Sequence, residues 1–320
     1  PDRGLHRLSA QRLRVSLYGD GQVNRHVGAV LGRRSGYDVL GPYGRRDRDR
    51  ALRSGADVVV IATTSFLTEI AGDLRAAISS GSNVITTAEE AAFPLAVEPT
   101  VARELDELAR GHGVTGIGCG LNPGLAFDAL VLTVAGAAWD VERIRVQRSV
   151  DLSRFSSTIL RRLGVGYDAA EFAAGVQAGT IHGHIGFPQS MRIVAGAVGV
   201  ELERIDRQIE PIYAQRAHTT AGMSIPRGAT AGFRQRYTGI VGDRGWYEAV
   251  FTGHVDPVAN GTPPRDEIDV LGATPLHLII EPGFDPQTGS SAMIANSIRR
   301  VMAARPGWLT VAELPPAHPG

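Results

Sequence analysis

The run Asp57-Val58-Val59-Val60-Ile61-Ala62 is short, β-branched and uninterrupted by polar residues after its first position. A strand with one wet face would alternate, so this run reads as a parallel strand covered on both faces by helices. Its neighbours agree. Leu13 to Tyr18 alternates apolar and polar residues and ends on Gly19, after which Val23, Val27, Val30 and Leu31 recur at helical spacing. Phe66, Leu67, Ile70, Leu74, Ala77 and Ile78 follow the apolar run with a period near 3.6 and stop at Gly81. A strand at Asn83 to Thr86, a helical pattern from Ala88 to Arg110 and a strand at Val114 to Ile117 complete the series. Four strands interleaved with helices over about 110 residues predict an α/β fold, a Rossmann-type doubly wound parallel sheet.

From about Val141 the texture changes. Glu142 to Val150 alternates strictly, as do Phe233 to Ile240, Trp246 to Thr252 and His277 to Ile280. These are strands of a sheet with one wet face. Between them Ala169 to Val176 and Pro188 to Val200 read as helices, which predicts a second α+β domain with a largely antiparallel sheet. A last helical pattern, Ala292 to Met302, is long enough to return to the first domain. The expected division is a dinucleotide-binding domain at 11–140, completed by a C-terminal helix and tail at 286–320, and a substrate and dimerisation domain at 141–285.

Composition narrows the chemistry. All 33 cationic side chains are Arg, and 33 anionic ones balance them. Without Lys there is no Schiff base and no lysine acid or base, and Arg stays protonated. Proton transfer falls to Glu, Asp, His or Tyr. The single Cys119 forbids an internal disulfide and any multi-thiolate metal site, and reads as a small buried residue. Zero formal net charge supplies no field for a nucleic acid backbone, so no nucleic acid partner is expected. No apolar stretch approaches a membrane span and Pro1 to Gln11 is polar, so no membrane is expected and the cytoplasm is the expected location.

Gly19-Asp20-Gly21-Gln22-Val23-Asn24 occupies the first strand-to-helix turn, where a G-x-G-x-x-G lets the backbone approach a pyrophosphate held at a helix N-terminus. Gly19, Gly21, Gln22, Val23 and Asn24 are the candidate contacts. Asn24 stands where a third glycine is usual, tolerable if the helix packs slightly farther from the strand, and Asp20 puts a negative charge near the phosphates. A site for NAD(H) wants a carboxylate at the end of the second strand. After Tyr37 to Gly41 the chain instead runs Pro42-Tyr43-Gly44-Arg45-Arg46, with none before Asp47. Two guanidiniums there can clasp a 2′-phosphate, so NADP(H) is expected ahead of NAD(H).

Several segments resemble, in order, one family: the native amine dehydrogenases and 2,4-diaminopentanoate dehydrogenases, a branch of the dihydrodipicolinate-reductase-like superfamily. They are Ala62 to Leu67, Thr86-Thr87-Ala88-Glu89-Glu90 and Gly120-Leu121-Asn122-Pro123-Gly124-Leu125, then Leu160 to Gly166 and Gly183-His184-Ile185-Gly186-Phe187-Pro188-Gln189-Ser190. The tail Ser291 to Asn296 and Arg305 to Pro315 continues the likeness. The resemblance implies a Rossmann domain completed by the C-terminal helix, a homodimer through the sheet domain, and NAD(P)H-dependent interconversion of a ketone or aldehyde plus ammonia with a primary amine. Gln189 stands where that family often carries Glu. The His-His pair and lysine of true dihydrodipicolinate reductases are absent, which argues against a cyclic dicarboxylate imine.

Glu89 and Glu90 follow a parallel strand at the edge where open α/β sheets hold ligands. A carboxylate there can take a proton from ammonium and stabilise an iminium cation; equally, a first-turn carboxylate complements a helix dipole. One of the pair is expected to be catalytic, and the sequence does not choose between them. Asn122, with Pro123 beside it, is placed to hold a carboxamide through its donor and acceptor, or else to make a plain turn. Thr63, Thr64 and Ser65 are placed to reach cofactor ribose or phosphates, or to cap the Phe66 helix. By its position in the resemblance His184 is a candidate pocket-lining residue of the second domain, with Phe155 as a further candidate. His182-Gly183-His184 lacks further ligands at metal spacing, so no metal is expected. Two other readings stay open: reduction of a preformed imine, and a non-redox binding protein or cyclase derived from this fold.

Overall fold

Val58, Val59, Val60 and Ile61 are fully buried in the middle of a six-stranded parallel sheet. The computed structural model describes residues 12–220 and 222–319, so the segment Pro1 to Gln11 lies outside the described residues. The chain divides into two units, one holding the chain to Ala129, Arg192–Val194 and the stretch from Asp285 onward, the other Leu130–Met191 and Ala195–Phe284.

The first unit runs β1 (Leu13–Tyr18), α1 (Gln22–Gly32), β2 (Tyr37–Tyr43), a 3₁₀ turn (Arg45–Asp47), α2 (Arg48–Leu52), β3 (Val58–Ile61), α3 (Leu67–Ser79) and β4 (Asn83–Thr86). Two 3₁₀ turns (Glu89–Ala92, Pro94–Ala96), α4 (Pro99–His112) and β5 (Thr115–Gly118) follow. The helical pattern expected from Ala88 to Arg110 is thus broken. Pro94 and Pro99 each lack an N–H and start new segments instead of continuing one helix, and α4 begins only at Pro99.

In the second unit come α5 (Ala129–Ala135), which starts one residue before the division, β6 (Arg143–Asp151), α6 (Ser157–Arg162), α7 (Ala169–Gln177) and α8 (Phe187–Ala197). The strands β7 (Arg204–Tyr213), β8 (His218–Thr220), β9 (Met223–Ile225), β10 (Thr230–Val241), β11 (Arg244–His254), β12 (Arg265–Leu271) and β13 (Leu276–Ile280) follow. The chain then returns to the first unit as α9 (Thr288–Ala303) and β14 (Gly307–Leu309). The sheet order in the first unit is β14-β5-β4-β3-β1-β2, all parallel, with α9 packed on α1. Trp308 of β14 lies over Gly116 and donates from its indole to Ala91 O at 2.9 Å.

The second sheet has the order β13-β12-β6-β11-β10-β7, antiparallel except where β6 and β11 run side by side. One face carries Ile144, Val146, Val150, Phe233, Phe251 and Ile268, all buried. On the other, Arg145 meets Glu248 at 2.9 Å and Arg265 meets Glu267 at 2.9 Å. β7 and β12 escaped the sequence reading for different reasons. β7 is a largely exposed edge strand, and β12 buries Asp266 and Glu267 through arginine and glutamine partners on β6, so neither shows apolar alternation.

Candidate active site

β1 pairs with β2 on one side and β3 on the other, so the loops after β1 and β3 flank the point where strand order reverses, the usual ligand crevice of an open α/β sheet. Gly19 turns there with φ of 109°, and a Cβ on it would stand 2.2 Å from Ala62 O, so no other residue fits. α1 starts at the extended Gly21 with no acidic residue in its first turn, and a Cβ on Gly21 would meet nothing within 4 Å. The free N–H groups of this first turn, at Gln22 and Val23, and the positive end of the helix dipole suit an anion. Asn24 does more than space helix from strand. It is fully buried, and its Nδ2 donates to Tyr18 O (2.8 Å) and Gly19 O (2.9 Å), fastening α1 to the end of β1. These residues fit a dinucleotide pyrophosphate.

Beyond β2, Arg45 and Arg46 are exposed on a 3₁₀ turn, and neither joins an ion pair among the described residues. The rest of that basic run is engaged: Arg48 binds Asp73 at 2.6 Å and Arg50 lies over the Tyr43 ring. Within that run, Arg45 and Arg46 are the arginines with no ion pair or ring contact among the described residues.

The loop after β3 and the turn after β4 come together. Thr63 is exposed, Thr64 Oγ1 donates to Glu69 Oε2 at 2.5 Å, and Ser65 O accepts from Glu90 N at 3.3 Å. The start of α3 is held from two sides: Thr64 Oγ1 accepts from the N–H of the N-cap residue Phe66 at 3.4 Å, and Glu90 Oε2 accepts from Leu67 N at 2.8 Å. Glu89 lies beside Ser65, whose hydroxyl bonds its carboxyl. Burial pushes that carboxyl up to about 7, a rise its backbone and Ser65 hydrogen bonds oppose and the neighbouring Glu90 charge assists. The two carboxylates therefore differ in kind. Glu90 is committed to a helix N-terminus 23 residues away in sequence, and Glu89 holds a proton near neutrality.

Asn122 and Pro123 follow β5 in a tight loop in which Gly120 N donates to Pro123 O at 2.8 Å and Gly124 N donates to the buried Asp128 carboxylate at 2.9 Å. Gly124 has φ of 139°, and a Cβ there would collide with Gly120. Asn122 is half-buried at the head of this loop and Pro123 is buried. Cys119, just before it, is buried and its thiol is pushed up by burial.

His184 and Phe155 belong to the second unit. Gln235, fully buried on β10, accepts from His184 N at 2.8 Å and donates to His182 O at 3.1 Å, so it clamps the His182-Gly183-His184 turn. The His184 ring packs on Phe187 and Phe251, its Nδ1 bonds Ile185 O, and burial, with Arg148 assisting, pushes its pKa down to about 4. It is a neutral imidazole. Phe155 is half-buried in the loop between β6 and α6, where its N–H donates to Leu152 O at 3.0 Å. Sequence reading missed Gln235 and the buried Arg148–Asp266 pair (2.6 Å). A signal existed: Arg148 is in phase with Ile144, Val146 and Val150, and Gln235 with Phe233 and Tyr237, polar residues at inward positions of alternating strands. Among the described residues no three His, Cys, Asp or Glu gather to hold a metal.

Residues 125–319 match the model of the 2,4-diaminopentanoate dehydrogenase C-terminal domain. A 2,4-diaminopentanoate dehydrogenase of Acetoanaerobium sticklandii is 29% identical over 331 aligned residues, covering 95% of this chain and 94% of the relative. An amine dehydrogenase from Mycobacterium smegmatis shares the fold with a TM-score of 0.80 at 23% identity, over 97% of this chain and 98% of that one. A scyllo-inositol dehydrogenase from Lactobacillus casei aligns at 0.51 and 12% identity, over 92% of this chain and 89% of that one.

Proposed function

As the chain belongs to the family defined by the 2,4-diaminopentanoate dehydrogenase C-terminal domain, we propose that this oxidoreductase interconverts a ketone or aldehyde plus ammonia with a primary amine, using NADP(H). The observation that carries the reading is Glu89, a carboxyl at the ligand edge of the parallel sheet whose pKa of about 7 leaves it equally able to take and to give a proton. The first turn of α1 would hold the pyrophosphate, Arg45 and Arg46 the 2′-phosphate, and Asn122 the carboxamide. Bound there, the cofactor would supply a hydride for amine formation or accept one in the reverse direction.

Glu89 does the proton work. As carboxylate it accepts a proton from ammonium, freeing the nitrogen lone pair to attack the carbonyl carbon. As carboxylic acid it protonates the carbonyl oxygen as the C–N bond forms, then takes a proton from the added nitrogen and passes it to the new hydroxyl, so that the C–O bond breaks with water as leaving group and the C=N bond forms. Ionised again, it faces the iminium cation and stabilises it. Glu90 keeps the start of α3 in place below it. In the second unit His184, neutral at working pH, would offer substrate an uncharged donor or acceptor.

We place a homodimer contact on the polar face of the second sheet, where Gln147, Arg234, Thr252, Arg265 and Glu267 line a cavity of about 450 Å³; light scattering that returns the mass of one chain at micromolar concentration would remove it. The same proposal sets the protein in the cytoplasm; among the described residues no helix is long and apolar enough to cross a membrane. Steady-state assays with NADPH and a panel of carbonyl compounds, with and without ammonium, test the reaction. Turnover only with ammonium present is the expected result, and reduction of preformed imines without it overturns the proposal.

A further inference from the structure

In a dinucleotide-binding sheet the carboxylate that reads the adenosine ribose normally stands at the end of β2. This chain has none in the strand's last turn: Asp38 lies at the opposite end and pairs with Arg12, and Asp47 lies beyond both arginines. A carboxylate nevertheless arrives there from another element. β2 pairs with β1 through an irregularity between Ser16 and Tyr18, so that Tyr43 comes level with Tyr18 and Gly19 N donates to Tyr43 O at 2.9 Å. The next residue on each segment is then Asp20 and Gly44. Asp20 Oδ2 lies 3.5 Å from where a Cβ on Gly44 would stand, an ordinary contact distance that sets the carboxylate directly beside the backbone of Gly44. Asp20 is exposed, its backbone O is tied by Arg25 Nε at 2.9 Å, and its carboxylate has no hydrogen bond or ion pair among the described residues. Gly44 is the N-cap of the 3₁₀ turn that carries Arg45 and Arg46.

We propose that Asp20 is the specificity-determining carboxylate of the adenosine end of the site, supplied by the first turn in place of the second strand. It accepts hydrogen bonds from the ribose hydroxyls of NAD(H) and repels a 2′-phosphate, while Arg45 and Arg46, one and two residues past Gly44, attract that phosphate. Cofactor choice in this chain is a balance of opposed charges on two sides of one ribose, and the protein binds both cofactors, with Asp20 holding back the preference for NADP(H). The inference rests on the reading of the Gly19 turn as a dinucleotide site.

The test is a binding measurement. NADPH and NADH are titrated separately into the purified protein and followed by the fluorescence of the bound reduced nicotinamide, for the natural chain, Asp20→Asn and Asp20→Ser. Both variants keep a small polar side chain at an exposed position, and thermal melting checks that each is folded. The ratio of the NADH to the NADPH dissociation constant should rise on the order of tenfold in each variant, because one repulsion is lost for the phosphate and one charged acceptor for the ribose. A ratio that stays within about twofold in both variants, or falls, overturns the role of Asp20. Failure of the natural chain to bind either cofactor overturns the dinucleotide reading itself, a result distinct from an unchanged ratio.

Discussion

Two half-buried titratable groups, one in each unit, are moved by the same force, the loss of water around them, to opposite ends of usefulness. Glu89 in the turn after β4 and His184 before α8 are both driven by burial toward their uncharged forms. For the carboxyl that means a rise to about 7, and for the imidazole a fall to about 4. Desolvation thus brings the acid into the working range of a proton carrier and takes the histidine out of it. The residue type that titrates near neutrality in free solution is the inert one here. A carboxyl with an ordinary pKa far below neutrality is the one that can exchange a proton.

Glu89→Gln, the strongest challenge to this contrast, keeps size and hydrogen bonding and removes basicity; kcat should fall by roughly 10²-fold or more, with the NADPH dissociation constant little changed, in single-turnover and titration experiments. A comparable loss in His184→Gln with Glu89→Gln still active would reverse the contrast. Next in size is the double variant Arg45→Ala/Arg46→Ala. It should weaken NADPH far more than NADH, by a few kcal/mol at most for two charge-assisted pairs, and equal losses for both cofactors would refute the phosphate role.

The third expectation concerns stability against pH. A carboxyl whose folded pKa is raised is bound to its proton in the native state and free of it in the unfolded state between about 4.5 and 7, so stability falls as pH rises through that window. An imidazole whose folded pKa is lowered stays unprotonated in the native state between 6.5 and about 4, so stability falls as pH drops through that window. Denaturant melts across pH should therefore show Glu89→Gln gaining on the parent above neutrality and His184→Gln gaining on it below pH 5, each by about 1 to 3 kcal/mol. Identical pH profiles for parent and variants would remove the burial argument. The smallest effect belongs to Glu90→Gln, which keeps an acceptor for Leu67 N but loses the charge at the helix start. About 1 kcal/mol of stability or less should go, and turnover should stay near normal.

The parallel sheet was legible because its signals are local: a fully buried strand is apolar throughout, each helix repeats every 3.6 residues, and Gly19 marks the first turn. Legibility failed where a partner far off in sequence decides. Nothing near Glu90 announces that Leu67 N waits for it, so the pair Glu89/Glu90 reads as symmetric until the fold separates them. Asn24 reads as a departure from a glycine motif because its two acceptors, Tyr18 O at the end of β1 and Gly19 O in the turn, are met only once the chain has folded back. β12 goes unread as a strand, since Asp266 is acceptable inside only with Arg148 opposite it. Three residues of β14 are too few for any period to show.

That last strand sets the order in which the molecule can be completed. β5 emerges from the ribosome with its outer edge open, and the partner that closes it, Gly307–Leu309, is made only after all of the second unit's chain. At about 5 to 20 residues per second, nearly 190 residues of delay leave that edge bare for roughly 10 to 40 s. A bare parallel edge is a template for wrong pairing. A nascent chain of this protein therefore spends more than half of its synthesis with the outer edge of β5 waiting for its partner.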